Sequence, residues 1–347
     1  MARKFLATEV SDLCVGKPPL RWLPATATVA DAVAALKRSG DINDNPFESS
    51  LLDLLPKVDD GRIKHLEANS SLLEAIDSIL EGAQNLVIPI KTYNQRQQHL
   101  ITNPSLGTTT ALHNGKEYCW LNREDIIRFI LNSINVFSPI PTFTIESLNI
   151  ISNETLTVHY DDPASSALPL ITHSHLNQTS VAVVNQDNTL IGEISPFALS
   201  CCDETIIAAI TTLSAGDLMA YLDYSGPPED LVHLVKMRLQ ERNLTGMMDM
   251  MDDYYNPSSS SSSSSSDEEF GAWKNGGMGR SYPGRRSEAI VCNPWNTLMA
   301  VMVQMIAHRV SYAWVVKEDY GLVGIVTFTE ILRQFRSTVG SSNTKVR

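Results

Sequence analysis

The sequence predicts an α/β (α+β) fold of tandem β-α-β-β-α repeats broken by a disordered serine-rich insert, and three observations carry that prediction. A strand-turn-strand-helix pattern occurs three times along the 347 residues. Each occurrence follows a helix whose apolar residues recur at helical spacing. The third observation is the run Ser258–Ser266, which has no apolar area to bury.

The first repeat (residues 8–61) starts with Val10-Ser-Asp-Leu13 as a strand and Thr28–Lys37 as a helix. It then fails, because Asp41–Pro56 contains no hairpin and no strand-to-helix junction, so this repeat is degenerate and the chain reads as a shortened form. The second (62–136) has the helix Ser71–Leu80, the strand Asn85–Ile90, a polar insert at about 92–116, the strand Tyr118–Leu121 and a helix after Asn122. The third (142–203) has a short helix Pro163–Leu170, strands Ser180–Val184 and Leu190–Ile194 around a polar turn, and a junction at Ser195. Residues 204–256 form a helical connection in which Pro227-Pro-Glu-Asp opens a helix that continues through Met247–Met251. These methionines read as core.

The disordered stretch covers 257–284. Ser264, Ser265 and Ser266 each have an acid three residues downstream, which makes them candidate phosphorylation sites facing Arg280, Arg285 and Arg286. The last repeat (285–338) contains the helix Trp295–Ile306 and two β-rich runs, Tyr312–Val316 and Leu322–Val326, flanking a turn that ends in Gly321. At Thr327 the strand gives way to a helix, with Glu330 placed to complete a capping box.

A net charge of -12 argues against a surface that tracks nucleic-acid phosphates. No apolar run approaches the length of a bilayer span, and neither a secretory signal nor a targeting tail is legible. Cys14, Cys119, Cys201, Cys202 and Cys292 are an odd, scattered set without metal-site spacing, so they read as buried thiols of a reducing compartment, the cytoplasm, with nucleus and plastid left open. His159 beside Asp161 and Asp162, and His173 near His175, read as a strand-to-helix entry with helix-capping acids and a polar connection, not as a metal site. No nucleophile elbow, P-loop, zinc-protease or kinase signature is present, and no enzyme is expected.

The unit ending in Gly-h-h-Thr/Ser-x-x-acid, best seen in Val315-Val-Lys-Glu-Asp-Tyr-Gly-Leu-Val-Gly-Ile-Val-Thr-Phe-Thr-Glu-Ile-Leu332, resembles the CBS domain. The whole chain is similar to the plant proteins made only of CBS repeats, whose layout is like that of the γ regulatory subunit of AMP-activated protein kinase. The resemblance implies repeats associated in two pairs, an adenosine nucleotide (AMP, ADP or ATP) held in the cleft between paired repeats, and a protein partner such as a kinase complex. A dimer is compatible with it.

The resemblance also implies site residues. Thr327 and Glu330 match the motif, with Glu in place of Asp; Asn122 and Asp125 match with an amide for the hydroxyl; Ser195 matches, but Ala198 replaces the acid. Hydroxyl and helix-start amides would take the phosphate, and the acid the ribose. His308-Arg309 and Arg123 are basic residues nearby; Arg123 is a candidate to face the ligand, the alternative being an exposed first-turn residue. The positions where γ-type subunits carry phosphate-binding bases read Gln84-Asn85, Thr179-Ser180 and Ser311-Tyr312. Two readings follow, a nucleotide-sensing regulatory module and a ligand-free scaffold acting through protein contacts.

Overall fold

The computed structural model describes residues 1–20, 61–90, 117–196, 199, 205–222, 227–255 and 289–340. The chain divides into two compact units: Met1–Pro141 with Phe328–Arg347 (unit 1), and Thr142–Thr327 (unit 2). The expected helix at Thr28–Lys37, the irregular Asp41–Pro56, the insert at 92–116, Ala198, Cys201, Cys202 and the serine run with its candidate phosphosites lie outside the described residues.

Unit 1 starts with α1 (Ala2–Leu6) and α2 (Val10–Leu13), a single turn of helix where the sequence predicts a strand. The reason lies in where its backbone bonds go. Val10 N donates to Ser70 O, and Leu72 N donates to Thr8 O, so the segment docks on the start of another helix instead of joining a sheet. Next come β1 (Ile63–His65), α3 (Leu72–Leu80), β2 (Asn85–Pro89), β3 (Tyr118–Asn122) and α4 (Arg123–Asn132). A Ser71–Glu74 capping box starts α3, and Leu72, Ala75, Ile76 and Ile79 bury one face of it. β1 runs parallel to β2, and β2 antiparallel to β3, giving the order β1-β2-β3. A parallel pair needs a crossover, which α3 supplies.

Unit 2 contains two such sheets. β4 (Thr157–His159) leads through a 3-10 turn, Ala164–Ser166, into α5 (Ala167–Asn177), β5 (Val181–Val184) and β6 (Leu190–Ile194). α5 outruns the short helix expected from the sequence and takes His173 and His175 with it, so these are helical and not in a connection. Its polar second half persists because Ile171 and Ser174 are buried, the Ser174 and Thr172 hydroxyls bond back to Ile171 and Leu168 carbonyls, and Gln178 closes it at φ 57°. Asp161 and Asp162 do not cap it: the Asp162 carboxylate accepts from His159 N, closing the turn behind it, and Pro163 precedes the helical segment without a side-chain cap.

The connecting helices are α6 (Thr205–Thr212), α7 (Ala215–Tyr221), α8 (Glu229–Glu241) and α9 (Thr245–Tyr255). The expected single helix into the methionines is two, broken where Asn243 adopts φ 55°. Met251 is fully buried with Val235 and Leu239, and Met247 and Met248 pack partly buried against that cluster, whereas Met250 is exposed, so the core reading does not extend to it. The second sheet is built from β7 (Val291–Cys292), α10 (Leu298–Ala307), β8 (Tyr312–Val316) and β9 (Leu322–Thr327), again parallel then antiparallel. The chain then returns to unit 1 as α11 (Phe328–Gly340). There the buried Phe335 ring meets Phe137, which also meets Phe5, and Phe5 stacks on Phe129. Arg336 donates to Asp77 on α3 over 2.6 Å.

Within unit 2 the two repeats exchange equivalent bonds. Ile145 N reaches Asn296 O while Leu298 N reaches Phe143 O; likewise Ala215 N reaches Asp162 O while Ala164 N reaches Leu213 O. The same pair of bonds joins Thr8 and Val10 to Ser70 and Leu72 in unit 1. Three leaders, Val10-Ser-Asp-Leu13, Ile145-Glu-Ser-Leu148 and Ala215-Gly-Asp-Leu218, therefore do one job: each holds the first turn of a helix in the other repeat of its pair. The hairpins of unit 2 are joined as reciprocally, Leu190 N to Tyr320 O and Leu322 N to Asn188 O. Between them lies a shared cluster of Ala182, Val184, Leu190, Tyr312, Trp314, Val316 and Ile325.

Candidate functional site

In unit 1 the strand-to-helix junction lies at Asn122, whose extended backbone ends β3 and lets its side chain cap α4. Asn122 Oδ1 accepts from Asp125 N at 3.0 Å, and Asp125 Oδ2 accepts from Asn122 N at 2.9 Å, a complete capping box. The same Oδ2 pairs with Lys17 Nζ, which also donates to Trp120 O at 2.9 Å. A cation from the N-terminal segment thus rests on the acid that the family resemblance assigns to a ribose. Beside it, Asp12, Leu13, Asp125, Arg128, Phe129 and Asn132 line an open cleft of about 210 Å³.

Arg123, the first residue of α4, is not an exposed first-turn residue. Its Nε is buried and is, among the described residues, the one buried side-chain nitrogen or oxygen without a hydrogen-bond partner. Burial lowers the guanidinium pKa, and the Glu330 carboxylate opposes that shift. Glu330 stands in the first turn of α11 and also meets Arg333 Nη1 at 3.3 Å. Thr327 is the last residue of β9, immediately before α11. Asn122, Arg123, Asp125 and Glu330 are therefore gathered in unit 1, whereas Thr327 ends unit 2.

Ser195 lies in unit 2, buried, just past β6. Two residues before it, Glu193 is buried among hydrogen-bond donors: Tyr312 OH at 2.7 Å, Trp314 Nε1 at 2.7 Å and Ser180 Oγ at 3.4 Å. Ser180 Oγ also lies 2.6 Å from the Tyr312 hydroxyl oxygen, so with Tyr312 donating to Glu193 the single Ser180 proton goes either to Tyr312 or to Glu193. Ser180 and Tyr312 occupy places where γ-type subunits carry bases, and here they serve a carboxylate of the protein itself. A buried carboxyl group that already takes the donors at this junction leaves them unavailable to a phosphate. Sequence reasoning missed Glu193, because its two short hydrogen bonds come from Tyr312 and Trp314, more than 100 residues away; the signal was an acid in the middle of an apolar strand.

The capping box gives a direct prediction. Asn122→Ala removes the acceptor for Asp125 N and should lower stability by about 1 kcal/mol in urea denaturation. Asn122→Ser, which keeps a capping oxygen, should recover most of it. Equal losses from both variants would show that the amide acts elsewhere.

Comparison with known proteins adds the following. The family profile described as "CBS domain" matches residues 286–337. The Arabidopsis thaliana protein "CBS domain-containing protein CBSX5" is 43% identical over 390 aligned positions, covering 97% of this chain and 98% of that protein. That alignment is longer than the 347 residues of this chain, so the relative carries segments absent here. The Arabidopsis "SNF1-related protein kinase regulatory subunit gamma-like PV42b" is 20% identical, covering 79% of this chain and 64% of that protein. A crystal structure of an uncharacterized conserved protein from Pyrococcus horikoshii aligns over 79% of each chain with 14% identity and a TM-score of 0.44.

Proposed function

We infer the function from one premise: the chain belongs to the CBS domain-containing proteins. On that premise it is a regulatory module that controls a protein partner, of the kind a kinase complex provides, and takes an adenosine nucleotide at the first turn of α4. The observation that carries the nucleotide reading is Arg123. A half-buried arginine at a helix start, with a buried, unpaired Nε and the Glu330 carboxylate nearby, offers a free donor that a phosphate suits in charge and geometry. The helix start adds amides and a favourable dipole to the same place. The kinase-partner reading draws its support from the gamma-like relative. Unit 2, whose Ser195 junction is filled by Glu193 and its donors, serves as the partner-facing pair in this reading.

Isothermal titration of the full chain with AMP, ADP, ATP and S-adenosylmethionine tests the proposal. Heat from at least one nucleotide is expected, weakened by about tenfold or more in Arg123→Gln, the loss typical of a charge-assisted hydrogen bond. A second reading, the ligand-free scaffold, is favoured by the Asp125 carboxylate, which is already spent on its own helix cap and on Lys17. Silence from all four ligands in a folded chain would select the scaffold.

A further inference from the structure

The strand that ends in the proposed nucleotide site carries a second chemistry. Cys119 lies in β3 and Cys14 at the end of α2; both are buried, both are free, and their side chains hydrogen-bond each other. The chain after Cys14 runs along β3. Lys17 N donates to Cys14 O at 3.1 Å, Lys17 Nζ to Trp120 O at 2.9 Å, and Leu20 N to Tyr118 O at 2.7 Å. The segment 14–20 is thus a strap fastened beside Asn122, with Lys17 on Asp125.

We propose that Cys14 and Cys119 form a reversible disulfide under peroxide, which pins the strap and holds Lys17 on Asp125, closing the first turn of α4 to its ligand. The closure rests on reading that turn as the nucleotide site; the disulfide does not.

The hydrogen bond from Cys14 and the nearby Lys17 cation lower the pKa of Cys119, against the effects of burial and of the Asp125 carboxylate, and the same hydrogen bond raises that of Cys14. The Cys119 thiolate attacks one peroxide oxygen, the O–O bond breaks, and the departing hydroxide takes up the proton that Cys119 released, giving one water and a Cys119 sulfenic acid. The Cys14 sulfur then attacks the Cys119 sulfur, and the hydroxyl leaves with the Cys14 proton as a second water. Two electrons pass from the sulfurs to the peroxide. A small oxidant suits thiols this deeply covered.

The test uses the full chain, exposed to hydrogen peroxide, alkylated and mapped by mass spectrometry, with AMP titrated into oxidised and reduced protein. Expected are a peptide pair joined through Cys14 and Cys119, released by dithiothreitol, and AMP affinity about tenfold weaker in the oxidised chain, within the usual range for coupled sites. Cys292, whose pKa burial raises to about 12, should stay a thiol throughout. Cys14→Ser should bind AMP and lose the response to peroxide; if it misfolds by circular dichroism, Cys119→Val serves instead. Recovery of both cysteines as separate thiols or sulfinic acids would overturn the proposal, and a disulfide that leaves AMP affinity unchanged would overturn the closure. If reduced protein binds no AMP while the disulfide forms, the nucleotide reading and the closure fall together, and the thiol pair stands.

Discussion

Glu193→Leu should lower the unfolding free energy of the chain by about 3–5 kcal/mol in urea denaturation. The carboxylate accepts from Tyr312 and Trp314, both at 2.7 Å, and neither of those side chains exceeds 2% exposure, so water cannot replace the lost acceptor. Trp314 Nε1 would be left as a buried donor in an apolar cluster, a loss larger than that of an ordinary hydrogen bond. Tyr312 would keep its bond to Ser180, which limits the damage. Glu193→Gln retains an acceptor oxygen and should cost roughly half as much or less. A loss below about 1 kcal/mol for Glu193→Leu would mean that the cluster repacks without the carboxylate.

The second large effect is expected at Gly324. A Cβ placed there would meet Ser152 O at 2.4 Å and Ile151 Cγ2 at 2.8 Å. The carbonyl cannot retreat, because Ser152 and Ile325 exchange backbone hydrogen bonds in both directions, at 2.8 and 2.9 Å. Gly324→Ala should therefore cost about 2–3 kcal/mol by overpacking against backbone. Gly216 offers the control. Its Cβ would strike the Tyr160 ring at 2.2 Å, a tighter contact, but Tyr160 is 37% exposed and free to swing outward. Gly216→Ala should cost under about 1 kcal/mol despite the shorter distance. If the two variants lost stability equally, side-chain mobility would not be what separates them.

These two sites show what the sequence makes legible and what it hides. The hairpins at Val181–Ile194 and Tyr312–Thr327 were legible because two apolar, β-rich runs close in sequence flank a polar turn. The capping residues of α3 and α4 were equally local. The role of Gly324 in a close approach was not, since the neighbour it must admit, Ser152, lies in a segment with no periodic signal. The three leaders escaped for the same reason: their backbone partners are distant in sequence, from Ala215 with Asp162 to Ile145 with Asn296, and two of them read as an ordinary strand and a connecting helix. At the candidate site, Asn122, Arg123 and Asp125 were picked from the motif, but the arrival of Lys17 on Asp125 depends on a contact spanning more than 100 residues, which no local pattern encodes.

The return of the chain at Phe328 has a consequence for synthesis. Everything in unit 2 has left the ribosome once Thr327 emerges, whereas unit 1, begun first, still lacks the 13 residues of α11 and the Phe335 ring that joins its aromatic core. Vectorial production usually lets the N-terminal body mature early. Here the order is inverted: the earliest-made body waits, with an apolar groove uncovered, for a helix translated after all of unit 2.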